Sequence, residues 1–250
     1  MTHSRLDLIK EYITQHSEVS VAELSDAFGV SVVTIRKDLD VLQRDGFILR
    51  RHGKAILLDS LNHKQTESSK LSDRYEDIAR LAVEHVQPGD FIFLGSGSTC
   101  MALADKLRPV RDLSVITNNV SAATVLIHSA KSIILLGGEL MMDVGGTVAA
   151  LGPNVAASLD GVYVDKAFTS GVGIDCQAGL TVNKVDSTYI DKRIPDFCGK
   201  WILMMDKEKF GVRAFYQAAS LDKISCLITD ETDGDILQPY RDRGLEIFHP

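Results

Sequence analysis

The chain has 250 residues, 45% hydrophobic and 24% charged, which is ordinary for soluble globular domains and fits a small domain joined to a medium one. No apolar run approaches the roughly 18 residues a membrane span needs, and the first residues hold no apolar signal segment, so neither insertion nor export is expected and a cytoplasmic location is. The four cysteines, Cys100, Cys176, Cys198 and Cys226, are scattered without a C-x-x-C pair; no metal site or disulfide framework is expected.

The net charge of −7 hides an uneven distribution. Residues 31–54 hold six cations against three anions, a net +3, and the remainder carries −10. A basic patch on an acidic body suits a nucleic acid at one face only.

Residues 3–16 read as a first helix, with Leu6, Ile9 and Ile13 on one face. Ser20-Val-Ala-Glu23 is a capping box, opening a helix that carries Val21, Leu24 and Phe28 inward and ends near Gly29. Ser31 then caps a third helix whose inward face is Ile35, Leu39 and Leu42. Its outward face holds Val32, Val33, Arg36, Lys37 and Asp40, with the pattern stopping at Gly46. An amphipathic surface helix fits that face, and so does the recognition helix of a helix-turn-helix. Residues 47–58 form two short β-like runs around a basic tip, Arg51-His52-Gly53-Lys54, which reads as a wing. Helix, turn, cationic helix and basic hairpin agree with one another as a winged helix-turn-helix. The DNA-contacting set is then Ser31, Val32, Val33, Thr34, Arg36 and Lys37 in the major groove, with Arg50, Arg51, His52 and Lys54 on the backbone.

Residues 59–73 are polar and aperiodic, and read as a linker between a domain over 1–58 and one over 74–250. A helix follows with Ile78, Leu81, Ala82 and His85 on one side, then a turn at 87–90. Strands are expected at Phe91–Leu94, Leu113–Thr117, Ser132–Leu136, Lys166–Thr169, Trp201–Met205, Ile224–Thr229 and Leu245–Phe248. Helical stretches lie between them, including Val185–Cys198, which Pro195 would end early. A less regular section after Gly137-Gly138-Glu139 includes Gly145-Gly146 and Gly152-Pro153. Alternating strands and helices give a doubly wound, mostly parallel α/β sheet.

In such sheets ligands bind beyond the carboxyl ends of the strands. Those ends carry Gly95-Ser96-Gly97-Ser98-Thr99, Thr117-Asn118-Asn119, Gly137-Gly138, and Ser170-Gly171-Val172-Gly173. The first brings glycine amides, hydroxyls and a helix amino terminus together, a phosphate-type site; a plain strand-to-helix turn has the same composition. Gly95-x-Gly97-x-x-Cys100 lacks the third glycine of a dinucleotide fingerprint, and there is no Walker motif. No cofactor is expected; a small phosphorylated metabolite is, with Lys209 adding charge neutralisation.

Both halves resemble the DeoR family of bacterial transcriptional regulators. The amino-terminal match is Arg5, Ile9, Ser31-x-x-Thr34-Ile35-Arg36-Lys37-Asp38-Leu39, Leu42, Gly46 and Arg51-His52-Gly53. The carboxy-terminal match includes Gly95–Thr99, Thr117-Asn118, Gly137-Gly138, Gly152-Pro153, Gly173-Ile174-Asp175, Gly179-Leu180-Thr181 and Asp206–Gly211. Two departures stand out: Arg74-Tyr75 before Glu76-Asp77-Ile78-Ala79, where the family has Glu-Lys before Ile-Ala, and Lys54 where the wing often has a second glycine. The resemblance implies a sugar-phosphate sensor domain in the fold group of ribose-5-phosphate isomerase, with Asp175 in the effector set. It implies a repressor of a carbohydrate-utilisation operon, binding double-stranded operator DNA as a homodimer or homotetramer, and no catalytic residues. The alternative is an isomerase-like enzyme, with Glu139, Asp175, Asp186 or Asp206 as general base.

Overall fold

The structure, a computed structural model, describes residues 5–16, 18–44, 48–51, 54–57, 75–143 and 145–250. The chain divides into two compact units, Met1–Lys70 and Leu71–Pro250. The stretch expected to be a linker, residues 59–73, lies outside the described residues.

In the first unit, helices α1 (Arg5–His16), α2 (Val21–Phe28) and α3 (Val32–Arg44) accompany strands β1 (Glu18–Ser20), β2 (Ile48–Arg51) and β3 (Lys54–Leu57). The capping box forms at the start of α2: Ser20 N–H donates to the Glu23 carboxylate at 2.8 Å, and Glu23 N–H to Ser20 Oγ at 3.1 Å. Gly29 closes α2 in the left-handed region, φ 62°, where an L side chain would be strained. The periodic apolar residues meet in one core of Ile9, Ile13, Leu24, Ile35, Leu39 and Leu42, each fully buried. Strand β1 is an addition to the sequence reading. It pairs antiparallel with β3, Val19 opposite Ala55, giving a three-stranded sheet in the order β1-β3-β2. Three residues are too few to show alternation, so this strand exists through its partner.

The first described stretch of the second unit, residues 75–83, is helical and is called α4. Its buried face is Tyr75, Ile78, Ala79 and Ala82. Leu81 is half-buried, and His85 lies past the helix end in a turn, edge-on to Phe248 at 4.6 Å; the face is rotated from the expected one because Tyr75 and Ala79 join it. Seven strands then form one sheet: β4 (Phe91–Leu94), β5 (Ser114–Thr117), β6 (Ser132–Leu135), β9 (Val164–Thr169), β12 (Cys198–Met205), β14 (Cys226–Thr229) and β15 (Glu246–Phe248). Their order is β15-β14-β12-β9-β4-β5-β6, and all six pairings are parallel. Alternate residues face two cores: Phe93, Ala167, Leu203 and Leu227 on one side, Ile92, Leu94, Phe168, Ile202, Met204 and Ile228 on the other. The doubly wound α/β class is therefore the observed one.

Antiparallel pieces lie outside that sheet. Strands β7 (Glu139–Met142) and β8 (Val148–Leu151) pair with each other in the stretch expected to be irregular. Strands β10 (Gly173–Asp175), β11 (Gly179–Val182) and β13 (Tyr216–Ala219) form a second small sheet. Helices α5 (Ser98–Leu107), α6 (Val120–Leu126), α7 (Pro153–Ala157) and α10 (Gly234–Arg241) fill the connections. The helix expected over 185–198 is two: α8 (Val185–Asp191) and α9 (Ile194–Phe197), with Cys198 already in β12. Pro195 lies in the first turn of α9, where its missing N–H costs nothing; it starts a helix instead of ending one.

The chain lays down β4, moves out through β5 and β6, and returns to the other side of β4 with β9. The carboxyl ends of β4 and β9 thus flank the point where strand order reverses. Loops leaving that point diverge to opposite faces and leave a crevice.

Candidate functional site

Helix α3 presents an outward face in the first unit. Ser31 Oγ accepts from Thr34 N–H at 3.3 Å and shares a hydrogen bond with Thr34 Oγ1 at 3.0 Å. Beyond that cap, Val33 is 61% exposed, and Val32, Arg36 and Lys37 are exposed beside it. Asp38, in the same helix, is buried and takes the Arg5 guanidinium on both oxygens, at 2.8 and 3.1 Å. This fork ties α1 to α3 and removes one anion from the outward face. Strands β2 and β3 pair with Arg51 opposite Lys54, and His52 and Gly53 lie between them in sequence. Those two lie outside the described residues, as do the side chains of Arg50 and Arg51; Lys54 is exposed.

At the reversal point of the large sheet lies a cavity of about 490 Å³, a size suited to a small metabolite. The turn after β4 supplies Gly95, Ser96, Gly97, Ser98 and Thr99 to its wall. Gly97, φ 97°, is the N-cap of α5 and offers no side-chain cap, so first-turn amides of a ten-residue helix face the cavity without a side-chain acceptor. The turn after β9 supplies Ser170, Gly171 and Val172. Lys209 enters from the single 3-10 turn after β12. Its ammonium donates to Ser170 Oγ at 3.2 Å, pairs with the buried Asp206 carboxylate at 3.2 Å, and lies 5.9 Å from the centre of the Tyr75 ring. These contacts aim the cation.

Of the residues expected in the effector site, the fold brings together Gly95–Thr99, Asn118, Ser170, Gly171 and Lys209. It keeps others off the cavity wall, each for a local reason. Thr117 Oγ1 donates to the Leu94 carbonyl between adjacent strands. Asn119 caps α6, its Oδ1 accepting from Ala122 N–H at 3.0 Å. A Cβ on Gly138 would meet Val155 at 2.4 Å, and one on Gly173 would meet the Val212 carbonyl oxygen at 2.2 Å, so both serve close packing; Gly137 also lies off the wall. Asp175 is the last residue of β10 in the small sheet, paired with Gly179. The Arg213 guanidinium, helped by the Gln177 and Ala178 amides, holds its carboxyl down at about 2.

The sequence reading missed Tyr75, Asp143, Gly145, Thr147, Lys184, Ser187 and Asp191, which also line the cavity. Asp143 holds the β7–β8 turn, accepting from Thr147 N–H at 2.8 Å. That turn lies so close to α5 that a Cβ on Gly145 would sit 2.1 Å from Ser98 Oγ. Asp191, at the end of α8, has its carboxyl pushed up to about 7 by burial. None of these carries a local motif, and each reaches the cavity through pairing or packing far along the chain. Among the acids weighed as a general base, Glu139 is exposed and Asp186 half-buried, both off the wall, and Asp206 pairs with Lys209 and caps the turn after β12.

Comparison with known proteins agrees with both halves. The DeoR-like helix-turn-helix domain model matches residues 5–61, and the DeoR C terminal sensor domain model matches residues 72–231. The transcriptional regulator YulB of Bacillus subtilis is 32% identical, over 97% of this chain and 92% of that protein. The transcriptional repressor GlcR of the same organism is 32% identical, over 98% and 95%. The regulator GlpR of Haloferax volcanii is 31% identical, over 96% and 94%. Among solved structures, ribose 5-phosphate isomerase of Methanocaldococcus jannaschii is similar at a TM-score of 0.37, with 18% identity over 55% of this chain and 53% of that one. Relatives matched over nearly their full length are named as regulators, not enzymes. This chain belongs to the DeoR family of transcriptional regulators.

Proposed function

We propose that the protein represses a carbohydrate-utilisation operon and that a phosphorylated sugar in the second unit relieves repression. The observation that carries this reading is the cavity at the strand-order reversal, where an uncapped helix amino terminus and an aimed lysine share one wall. That combination of amide donors and a cation suits a phosphate. In the first unit, Arg36 and Lys37 lie along the major groove, Val32, Val33 and Thr34 meet base edges and thymine methyls, and the wing with Arg50, Arg51, His52 and Lys54 holds the backbone. Paired half-sites favour a dimer or tetramer acting in the cytoplasm.

Tyr75 supplies the link between the two events. It is the first described residue after the 58–74 segment, it lines the cavity, and its ring lies against the Lys209 ammonium. A phosphate that draws Lys209 away changes what holds Tyr75, a residue of α4. Coupling of this kind is worth about 1–3 kcal/mol, or about 5–150-fold in DNA affinity. The test is retardation of the protein's own upstream DNA, with and without sugar phosphates. Retardation that is relieved by one sugar phosphate is expected; no retardation of any upstream fragment, or none relieved, defeats the proposal. Tyr75→Ala should bind the sugar phosphate while keeping its hold on DNA.

A further inference from the structure

Two polar side chains in the cavity wall, Asn118 and Asp191, are buried and hold acceptor oxygens without a donor among the described residues. Asn118 is 1% exposed, and β8 holds it from two directions. Ala150 N–H donates to the Asn118 carbonyl at 2.8 Å, and Asn118 Nδ2 donates to the Ala150 carbonyl at 3.0 Å. The second bond fixes the amide's direction, since the reverse would place oxygen against oxygen. Asn118 Oδ1 is left as a buried acceptor with no donor among the described residues. Asp191 is 8% exposed, and its carboxyl makes no hydrogen bond or ion pair among the described residues. Both residues line the same cavity as the Ser96–Ser98 turn and Lys209.

An acceptor buried without a donor costs stability. A phosphate cannot satisfy Asn118 Oδ1, because it is itself an acceptor, and it would repel an ionised Asp191. Hydroxyl groups satisfy both. The cavity therefore has a donor part, made by the α5 amides and Lys209, and an acceptor part, made by Asn118 Oδ1 and the Asp191 carboxyl. We propose that Asn118 and Asp191 form a hydroxyl-reading subsite that selects the effector: a phosphorylated polyhydroxyl compound whose carbon chain presents two hydroxyl donors to them. This rests on the sugar-phosphate reading of the same cavity and assigns which end of the ligand goes where.

The test is calorimetric titration of the full-length protein with ribose 5-phosphate, glucose 6-phosphate and fructose 6-phosphate. The tightest is then compared with its single-deoxy analogues and with the unphosphorylated sugar. Removing the hydroxyl that faces the subsite should weaken binding by about tenfold or more, since the site's acceptor is then left unpaired. In Asp191→Asn, checked for a cooperative melt, parent and deoxy ligand should come within about threefold of each other. Wild-type protein that binds every deoxy analogue as tightly as the parent overturns the subsite and leaves the phosphate reading standing. Unphosphorylated sugar that binds as tightly as its phosphate, with the deoxy penalty intact, overturns the phosphate reading and supports the subsite. Asp191→Asn that keeps the full penalty overturns the role of Asp191, and an amino sugar phosphate preferred over the parent overturns hydroxyl recognition. If the variant fails to melt cooperatively, the deoxy series on wild-type protein decides alone.

Discussion

Asp191 shows how one buried carboxyl links pH to stability. Burial raises its folded value to about 7, against an ordinary value of 3.8. Between those values the folded chain keeps a proton that the unfolded chain has released, so stability falls as pH rises through that window and levels off above it. Asp191→Asn removes this dependence. Its melting temperature should gain on the wild type between pH 5 and pH 8, by the equivalent of a few kcal/mol. Parallel calorimetric curves for the two proteins across that range would sink the idea. Lys209 carries two roles at once. Replacement by Gln removes a charge-assisted donor, and effector affinity should fall about 10–100-fold. It also removes the Lys209 contact to Asp206, 1% exposed, so the melting temperature should drop as well. Unchanged affinity would remove Lys209 from the site.

At the scale of elements, helix ends and faces were legible where the signal was local. The Ser20–Glu23 box, the Ile35-Leu39-Leu42 face and the β4–α5 turn all lie within a few residues of sequence, and each forms as the pattern requires. Ser20→Ala should destabilise the first unit by about 1 kcal/mol, measured as a shift of its denaturant midpoint with an unchanged slope. The exposed face of α3 makes a different prediction. If Arg36 and Lys37 each meet one phosphate, the double alanine variant should lower the slope of log affinity against log salt by about 2. An unchanged slope with reduced affinity would assign them to base edges instead. The elements that escaped sequence reading are short and antiparallel: β1, β7, β8, β10, β11 and β13 span three or four residues each. At that length alternation and a loop look alike, and the partner strand decides.

The whole molecule joins a compact winged-helix unit to a larger α/β unit. Sedimentation equilibrium should show a dimer or tetramer of the full chain, and a monomer at concentrations that retard DNA would contradict the expected use of paired half-sites. The kind of each unit could be read from the sequence because periodicity, capping and strand–helix alternation are properties of neighbouring residues. The chain by itself thus determined a cationic helix with an apolar back, and a glycine–serine turn ahead of a helix. Tertiary structure alone decided which strand ends share a crevice, because the reversal between β4 and β9 depends on pairing over more than seventy residues. It also decided that Asp175, part of a family-like motif, is held at the end of β10 off the cavity wall while Tyr75 and Asp191 line the cavity. Burial and the direction of a side chain belong to the packed whole, and no stretch of sequence encodes them alone.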